Sequence, residues 1–329
     1  MIGIHITIIL ISTAGIWFFS HILSKGSHDL SRHYNIVPHI RGATIDAIGS
    51  SFPEFCTVIF ALYAGSFEAG IGAIAGSALF NILIIPAACT FISGPIIIDK
   101  KVIYRDGILY TVIVGLLITV VWQGPQKQVD GEMFHLLPWW IGLAGVLIYL
   151  FYVAFMVHQT GIPINRLSKQ NSVTIKKYAI YKMYFYLLIG ISGICLMTHY
   201  LVDSSLIIFR SFGLSDTITG VTVLAAATSL PDTFLSILSV RKGDADAAIS
   251  NAFGSNVFDI LVCLGLPILL TNGVLLSWES NWPILLSLLG STIVCIFFMI
   301  TSWTLTKLEA LILVLLYTLF ICSALYGFI

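Results

Sequence analysis

The stretch Gly42-Ala-Thr-Ile-Asp-Ala-Ile-Gly-Ser-Ser-Phe-Pro-Glu54 is repeated as Gly220-Val-Thr-Val-Leu-Ala-Ala-Ala-Thr-Ser-Leu-Pro-Asp232. Its continuation Gly76-Ser-Ala-Leu-Phe-Asn-Ile-Leu83 returns as Gly254-Ser-Asn-Val-Phe-Asp-Ile-Leu261. The offset is 178 residues throughout, without a gap, and 14 of the 42 positions in 42–83 are identical in 220–261. Each copy sets a carboxylate one residue after a proline, inside an apolar run. Charge buried in hydrocarbon is expensive, so a matched pair of such carboxylates marks a working site. Duplicated, proline-interrupted segments point to a transport site between two repeats.

The rest of the chain is a membrane sequence. Its 329 residues are 58% hydrophobic and 10% charged, with a mean hydropathy of +0.98, too little polar surface to clothe a soluble domain. Runs long enough to cross about 30 Å of hydrocarbon predict ten helices, at roughly 2–23, 42–64, 69–92, 105–122, 137–157, 182–202, 217–240, 246–270, 283–302 and 308–328. The first lacks a basic leader and a small-residue cleavage site and reads as a retained helix. The expected fold is an all-α polytopic membrane protein with two halves of five helices, 1–157 and 182–329. The stretch 158–181 is a polar, basic connection on the cytoplasmic side, too short for a folded domain.

Orientation follows from the basic residues. With both termini outside the cytoplasm, fourteen of the sixteen Lys and Arg fall inside and only Lys127 and Arg210 outside, a positive-inside asymmetry. Five helices per half is odd, so the second half enters the membrane inverted. The expected location is the plasma (inner) membrane, with small cations and the lipid bilayer as partners. Neither nucleic acid nor an obligatory protein partner is implied.

Pro53 and Pro231 fall in mid-helix and lack the N–H that would pair the carbonyls of Gly49 and Ala227, so helices 2 and 7 should break there. Small and hydroxylated residues surround the breaks: Ala47, Gly49, Ser50 and Ser51 in one copy, Ala225, Ala227, Thr228 and Ser229 in the other. Irregular backbone at membrane depth is tolerated where it is buried or lines a cavity. Carbonyls, hydroxyls and carboxylates make an all-oxygen lining suited to hard cations such as Na⁺ and Ca²⁺. With no Cys or His expected in the cluster, zinc and copper are disfavoured. Helices 3 and 8 add Ser77, Asn81, Ser255, Asn256 and Asp259. Asn81 and Asp259 are mates under the repeat but differ in charge, so the site is asymmetric with up to three carboxylates. Gly72, Gly76 and Gly254 are expected at close helix contacts. The six cysteines all sit in apolar runs without a CxxC spacing and are expected to pack.

The two segments resemble the repeats of the cation/calcium exchanger superfamily. The second copy, from Thr228-Ser-Leu-Pro-Asp232 through Ser250-Asn-Ala-Phe-Gly-Ser-Asn-Val-Phe-Asp-Ile-Leu261, is most similar to potassium-dependent sodium/calcium exchangers and their prokaryotic relatives. The resemblance implies a secondary active transporter, not an enzyme, without a cofactor. Glu54 and Asp232 would flank a central Ca²⁺ site. Ala47, Ser50, Ser51, Ala225, Thr228, Ser229, Ser77 and Ser255 would complete Ca²⁺ and Na⁺ sites through backbone and hydroxyl oxygens, and Asn81 and Asp259 would close the middle. The first copy departs from the pattern at Phe52, at Ala78 opposite Asn256, and at Asp46 opposite Leu224. Asp46 reads equally as a vestibule residue and as a partner for Arg41.

Exchange follows from charge. An empty site with two or three carboxylates is costly to move across the membrane, and filling it with one Ca²⁺ or several Na⁺ cancels most of that cost. Two alternatives use the same residues differently. A proton-coupled calcium exchanger would use Asp259 and Asp46 as proton carriers, and a cation channel would use the carboxylates as a ring. No protease-like or phosphate-binding motif supports an intramembrane enzyme.

Overall fold

A computed structural model describes residues 2–33, 47–129, 132–159 and 177–326. Asp46 and Arg41 lie outside the described residues, as does most of the 158–181 connection.

Helices dominate. In chain order they are α1 (Ile2–His33), α2 (Ala47–Ser50), α3 (Phe52–Tyr63), α4 (Phe67–Ser93), α5 (Lys100–Gln123), α6 (Trp139–Gln159), α7 (Lys177–Ser211), α8 (Asp216–Thr228), α9 (Leu230–Arg241), α10 (Ala245–Leu270), α11 (Trp278–Ser302) and α12 (Lys307–Leu325). Seven of them are long and apolar enough to cross a membrane, or eight when the bent pair α8–α9 counts as one span. Helical structure occupies each of the ten predicted stretches. At two of them the described apolar helices, Phe52–Tyr63 and Trp139–Phe155, are shorter.

The all-α expectation needs a correction. Five short strands occur: β1 (Ile96–Ile97), β2 (Gln126–Val129), β3 (Glu132–Leu137), β4 (Val274–Ser277) and β5 (Thr304–Leu305). β1 pairs antiparallel with β5, and β2, β3 and β4 form a three-stranded antiparallel sheet. They lie in interhelical loops, whose exposed backbone groups need partners once they leave a helix. The β1–β5 and β3–β4 pairings each join a loop of the first half to a loop of the second.

α1 and α7 also run past their predicted ends, so Lys25, Arg32 and Arg210 belong to helices and not to loops. No proline interrupts either extension, and long basic side chains are tolerated at helix ends where they reach the interface. Lys25 and Lys182 both lie over the Tyr186 ring, at 5.4 and 5.6 Å.

α4 and α10 are the most enclosed of the long helices, and they carry the second element of each repeat. Small residues permit this. A Cβ at Gly72 would lie 2.5 Å from the Thr217 carbonyl, and one at Gly76 would lie 2.6 Å from that of Val221. Among the described residues nothing comes within 4 Å of a Cβ placed at Gly254. The mate of Val221, residue 43, lies outside the described residues. The outer surface carries large exposed apolar side chains, among them Ile4, Leu10, Phe151, Leu188, Phe297 and Leu319. Apolar area on this scale suits contact with lipid.

Candidate cation site

Both repeat motifs build the same local shape. α2 ends at Ser50, Ser51 adopts φ −89°, ψ 6°, and α3 begins with Phe52-Pro53-Glu54. In the second copy Ser229 adopts φ −77°, ψ −5° between α8 and α9, and the two helices are bent by 42°. The prolines sit in the first turn of the following helix, where their missing N–H costs little. Glu54 and Asp232 therefore stand at helix N-termini, whose positive dipole ends favour negative charge.

The carboxylates are fully enclosed: Glu54, Asp232 and Asp259 are each 0% exposed. Among the described residues no Lys or Arg forms an ion pair with any of them. Their partners are neutral and come in mates. Ser77 Oγ donates to Glu54 Oε1 at 3.3 Å, and Ser255 Oγ donates to Asp232 Oδ1 at 3.1 Å. Ser229 Oγ donates to Ser77 Oγ at 2.8 Å, linking the second repeat to the first. Asn81 Nδ2 reaches Asp232 Oδ2 at 3.3 Å and Asn256 Oδ1 at 3.0 Å.

The symmetry breaks at Asp259. A carboxylate replaces the amide donor that Asn81 supplies in the other half, so the mirrored hydrogen bond to Glu54 has no donor. Glu54 Oε2 and Asp259 Oδ2 are both buried without a hydrogen-bond partner, as are Asn81 Oδ1 and Ser51 Oγ. An unsatisfied buried oxygen typically costs about 1–3 kcal/mol and more when charged. Four of them together constitute a site that lacks positive charge. Among the described residues no group of three or more His, Cys, Asp or Glu side chains is arranged to hold a metal. A cation here would therefore draw on a mixed set of carboxylate, amide and hydroxyl oxygens, which suits Na⁺ or Ca²⁺.

The structure brings together Glu54, Ser77, Asn81, Ser229, Asp232 and Ser255 through these bonds. Ser50 and Thr228 are buried nearby in sequence. Thr228 Oγ1 donates to the carbonyls of Leu224 and Ala225, at 3.0 and 3.3 Å. The Ala225 carbonyl also accepts from Ser229 N, so it is already engaged twice. Ala47 contributes only described backbone, in α2.

One expectation about the cluster is overturned. Cys263 belongs to it, its thiol donating to Asp259 Oδ1 at 3.6 Å and to the Ser51 carbonyl at 3.7 Å. Its spacing of four from Asp259 on a helix was the legible signal. The helix widens between these residues, Leu264 N bonding to Asp259 O, and Pro267 in the next turn leaves the Cys263 carbonyl without its helical donor. Such widened turns recur at functional sites.

Long apolar helices enclosing a buried cluster of carboxylate, amide and hydroxyl oxygens are the architecture of a membrane transport protein. The sodium/calcium exchanger protein family matches residues 4–158 and 182–326, and the chain belongs to that family. Its relatives include the inner membrane protein YrbG of Escherichia coli K12, 28% identical over 83% of this chain and 81% of that one. Human sodium/potassium/calcium exchanger 5 is 27% identical over 72% of this chain and 64% of its own length. The fold is that of the sodium-calcium exchanger NCX_Mj, with a TM-score of 0.67, 23% identity, and 98% of this chain and 99% of that chain covered.

Proposed function

We propose that the protein exchanges Na⁺ for Ca²⁺ by alternating access, with ten spans in two inverted halves and both termini outside the cytoplasm. The observation that carries this reading is the cluster of buried, unpartnered oxygens on Ser51, Glu54, Asn81 and Asp259 beside Asp232, drawn from both repeats. Loaded with one Ca²⁺ or several Na⁺, the cluster is near neutral and can be carried across. Empty, it holds unpaired charge whose burial costs several kcal/mol per ion. Competition of the two cations for one oxygen set couples their movements, and inward Na⁺ would expel Ca²⁺. The remaining ligands, Ser50, Thr228, Ser77, Ser229, Ser255 and the backbone of Ala47 and Ala225, complete the coordination as the helix ends rearrange.

The topology draws support from the strand ties. β1 and β5 lie in the third and ninth loops, and β3 and β4 in the fourth and eighth, so each tie joins loops assigned to one side of the membrane. The deciding experiment is radiolabelled Ca²⁺ uptake into Na⁺-loaded proteoliposomes, with external K⁺ and pH varied independently. Uptake that ignores the internal Na⁺ gradient would sink the reading.

A proton-coupled version is favoured by one feature, the carboxylate at Asp259 where the other half has an amide. A proton on Asp259 would supply the donor that Glu54 Oε2 lacks. The same assay separates the two, since only the proton version runs on a pH gradient alone.

A further inference from the structure

Two of the cysteines expected to serve as packing residues meet across a seam in the fold. Cys56 Sγ and Cys195 Sγ lie 3.5 Å apart, one thiol donating to the other. Cys56 sits on α3, two residues beyond Glu54, and is buried, whereas Cys195 on α7 is partly exposed. Both are free thiols.

The seam has a definite character. α1 and α7 pack closely on each other: a Cβ at Gly15 would lie 2.6 Å from Met197 Cγ, and one at Gly190 would lie 2.7 Å from Leu23 Cβ. Toward the site-bearing helices this pair packs through small apolar clusters, separate from the main core. One of these holds Leu23, Cys56 and Ile194, bordered by Phe19, Phe52 and Cys195. The thiol pair therefore bridges two layers joined by small apolar clusters and, at the C-terminal end of α7, by the Arg210–Asp216 ion pair, beside the half-helix that carries a site carboxylate.

We propose that Cys56 and Cys195 form an oxidisable dithiol, a modification site whose closure staples the α1–α7 pair to the site bundle. Closure brings sulfurs in van der Waals contact to a bond of about 2.05 Å. The oxidant this environment admits is a lipid-soluble organic disulfide. The Cys195 sulfur, the more accessible, attacks it and forms a mixed disulfide, releasing one thiol that takes the proton. The Cys56 sulfur then displaces the second thiol, and its own proton leaves with it. One protein disulfide forms, two cysteine thiols are oxidised, and the reagent's S–S bond is reduced to two thiols. The consequence for transport rests on the exchange reading above: if alternating access requires the two layers to move against each other, closure stops it reversibly.

The test treats the full chain in proteoliposomes with dithiodipyridine, followed by peptide mapping. The expected result is a Cys56–Cys195 peptide lacking two hydrogens and free of reagent, while exposed Cys322 carries a pyridyl adduct as the control. In Cys56→Ser, the adduct should persist on Cys195. Amide exchange along α7 and α3 should slow in the closed form, and Ca²⁺ flux should be lost and then restored by dithiothreitol. Cys56→Ser and Cys195→Ser should keep their flux in the reagent. A stable adduct on Cys195 in the parent, or a closed disulfide that changes neither amide exchange nor flux, overturns the proposal. If reduced protein moves no Ca²⁺ at all, the exchange reading falls, while mapping and amide exchange still decide the staple.

Discussion

Asn256 donates from Nδ2 to the carbonyl oxygen of Ala78 at 3.1 Å, and these two residues are mates under the 178-residue repeat. Equivalent residues touch only where the axis relating them passes between them. Under the two-fold relation proposed for the repeats the contact falls at the axis, and Asn81, bonded to Asn256 and Asp232, stands beside it. The cluster is thus matched in the Ser77 and Ser255 bonds to its carboxylates, and asymmetric in the Ser51 and Ser229 hydroxyls, the amides and the acids. That pattern sets the experiments.

Glu54→Gln and Asp232→Asn keep the shape of the site and each remove one charge. Ca²⁺ binding should weaken more than tenfold, at least about 1.4 kcal/mol, and Na⁺-driven uptake should be lost. Calorimetric titration and vesicle flux measure the two quantities. Near-normal uptake by both variants would remove these residues from the site.

Asp259→Asn makes the halves match and gives Glu54 Oε2 an amide donor. Transport should survive but lose any K⁺ dependence or shift its pH profile, and the cation-free protein should melt at a higher temperature. The reason is that an unpaired buried carboxylate has been removed. A variant with unchanged K⁺ response, pH profile and melting temperature would make Asp259 a structural residue.

Ser77→Ala and Ser255→Ala remove the matched hydroxyl donors to Glu54 and Asp232. A hydrogen bond to a charged group contributes about 1.5 kcal/mol or more, so each should weaken cation binding roughly tenfold. Ser77→Ala should be the more damaging, because it also breaks the link to Ser229. Equal binding by the parent and both variants in a titration would show that these hydroxyls do not hold the carboxylates in place.

The glycines give a contrast between the two repeats. Gly76→Ala forces a methyl against the Val221 carbonyl and Ala225 and should destabilise by about 1–3 kcal/mol. A Cβ at its mate Gly254 has no described atom within 4 Å, so Gly254→Ala should gain helix propensity, worth about 0.5–1 kcal/mol. Thermal melts of the two variants should move in opposite directions, and a parallel shift would contradict the packing asymmetry.

Much of this was legible from the chain because membrane burial penalises polar residues so heavily that the surviving ones stand out. Glu54, Asp232, Ser77, Ser255 and Asn81 stood out by that contrast together with the 178-residue offset, and hydrogen bonds link them in the fold. What the repeat could not report are contacts without a counterpart in the other copy. The mate of Cys56 is Phe234 and that of Cys263 is Ile85, so neither cysteine carried a duplicated signal. The strands escaped for a different reason: two to six residues of loop hold no periodicity to read, and their pairing depends on helices distant in sequence. The extension of α1 past Lys25 was hidden because a hydropathy window ends where polarity rises, whereas a helix ends only where something stops it.

The strand ties make the two halves sequence units without making them independent bodies. β1 finds its partner only in β5, β3 is bordered by β4, and the serine and amide bonds of the site cross between the repeats. A half made alone would present raw strand edges and half of an ion cradle. Described ties avoid the 158–181 connection, so the chain is expected to survive a cut there, its two pieces recognising each other as a lock recognises its key. Evolution by duplication has here produced twins that can be told apart but not brought up separately.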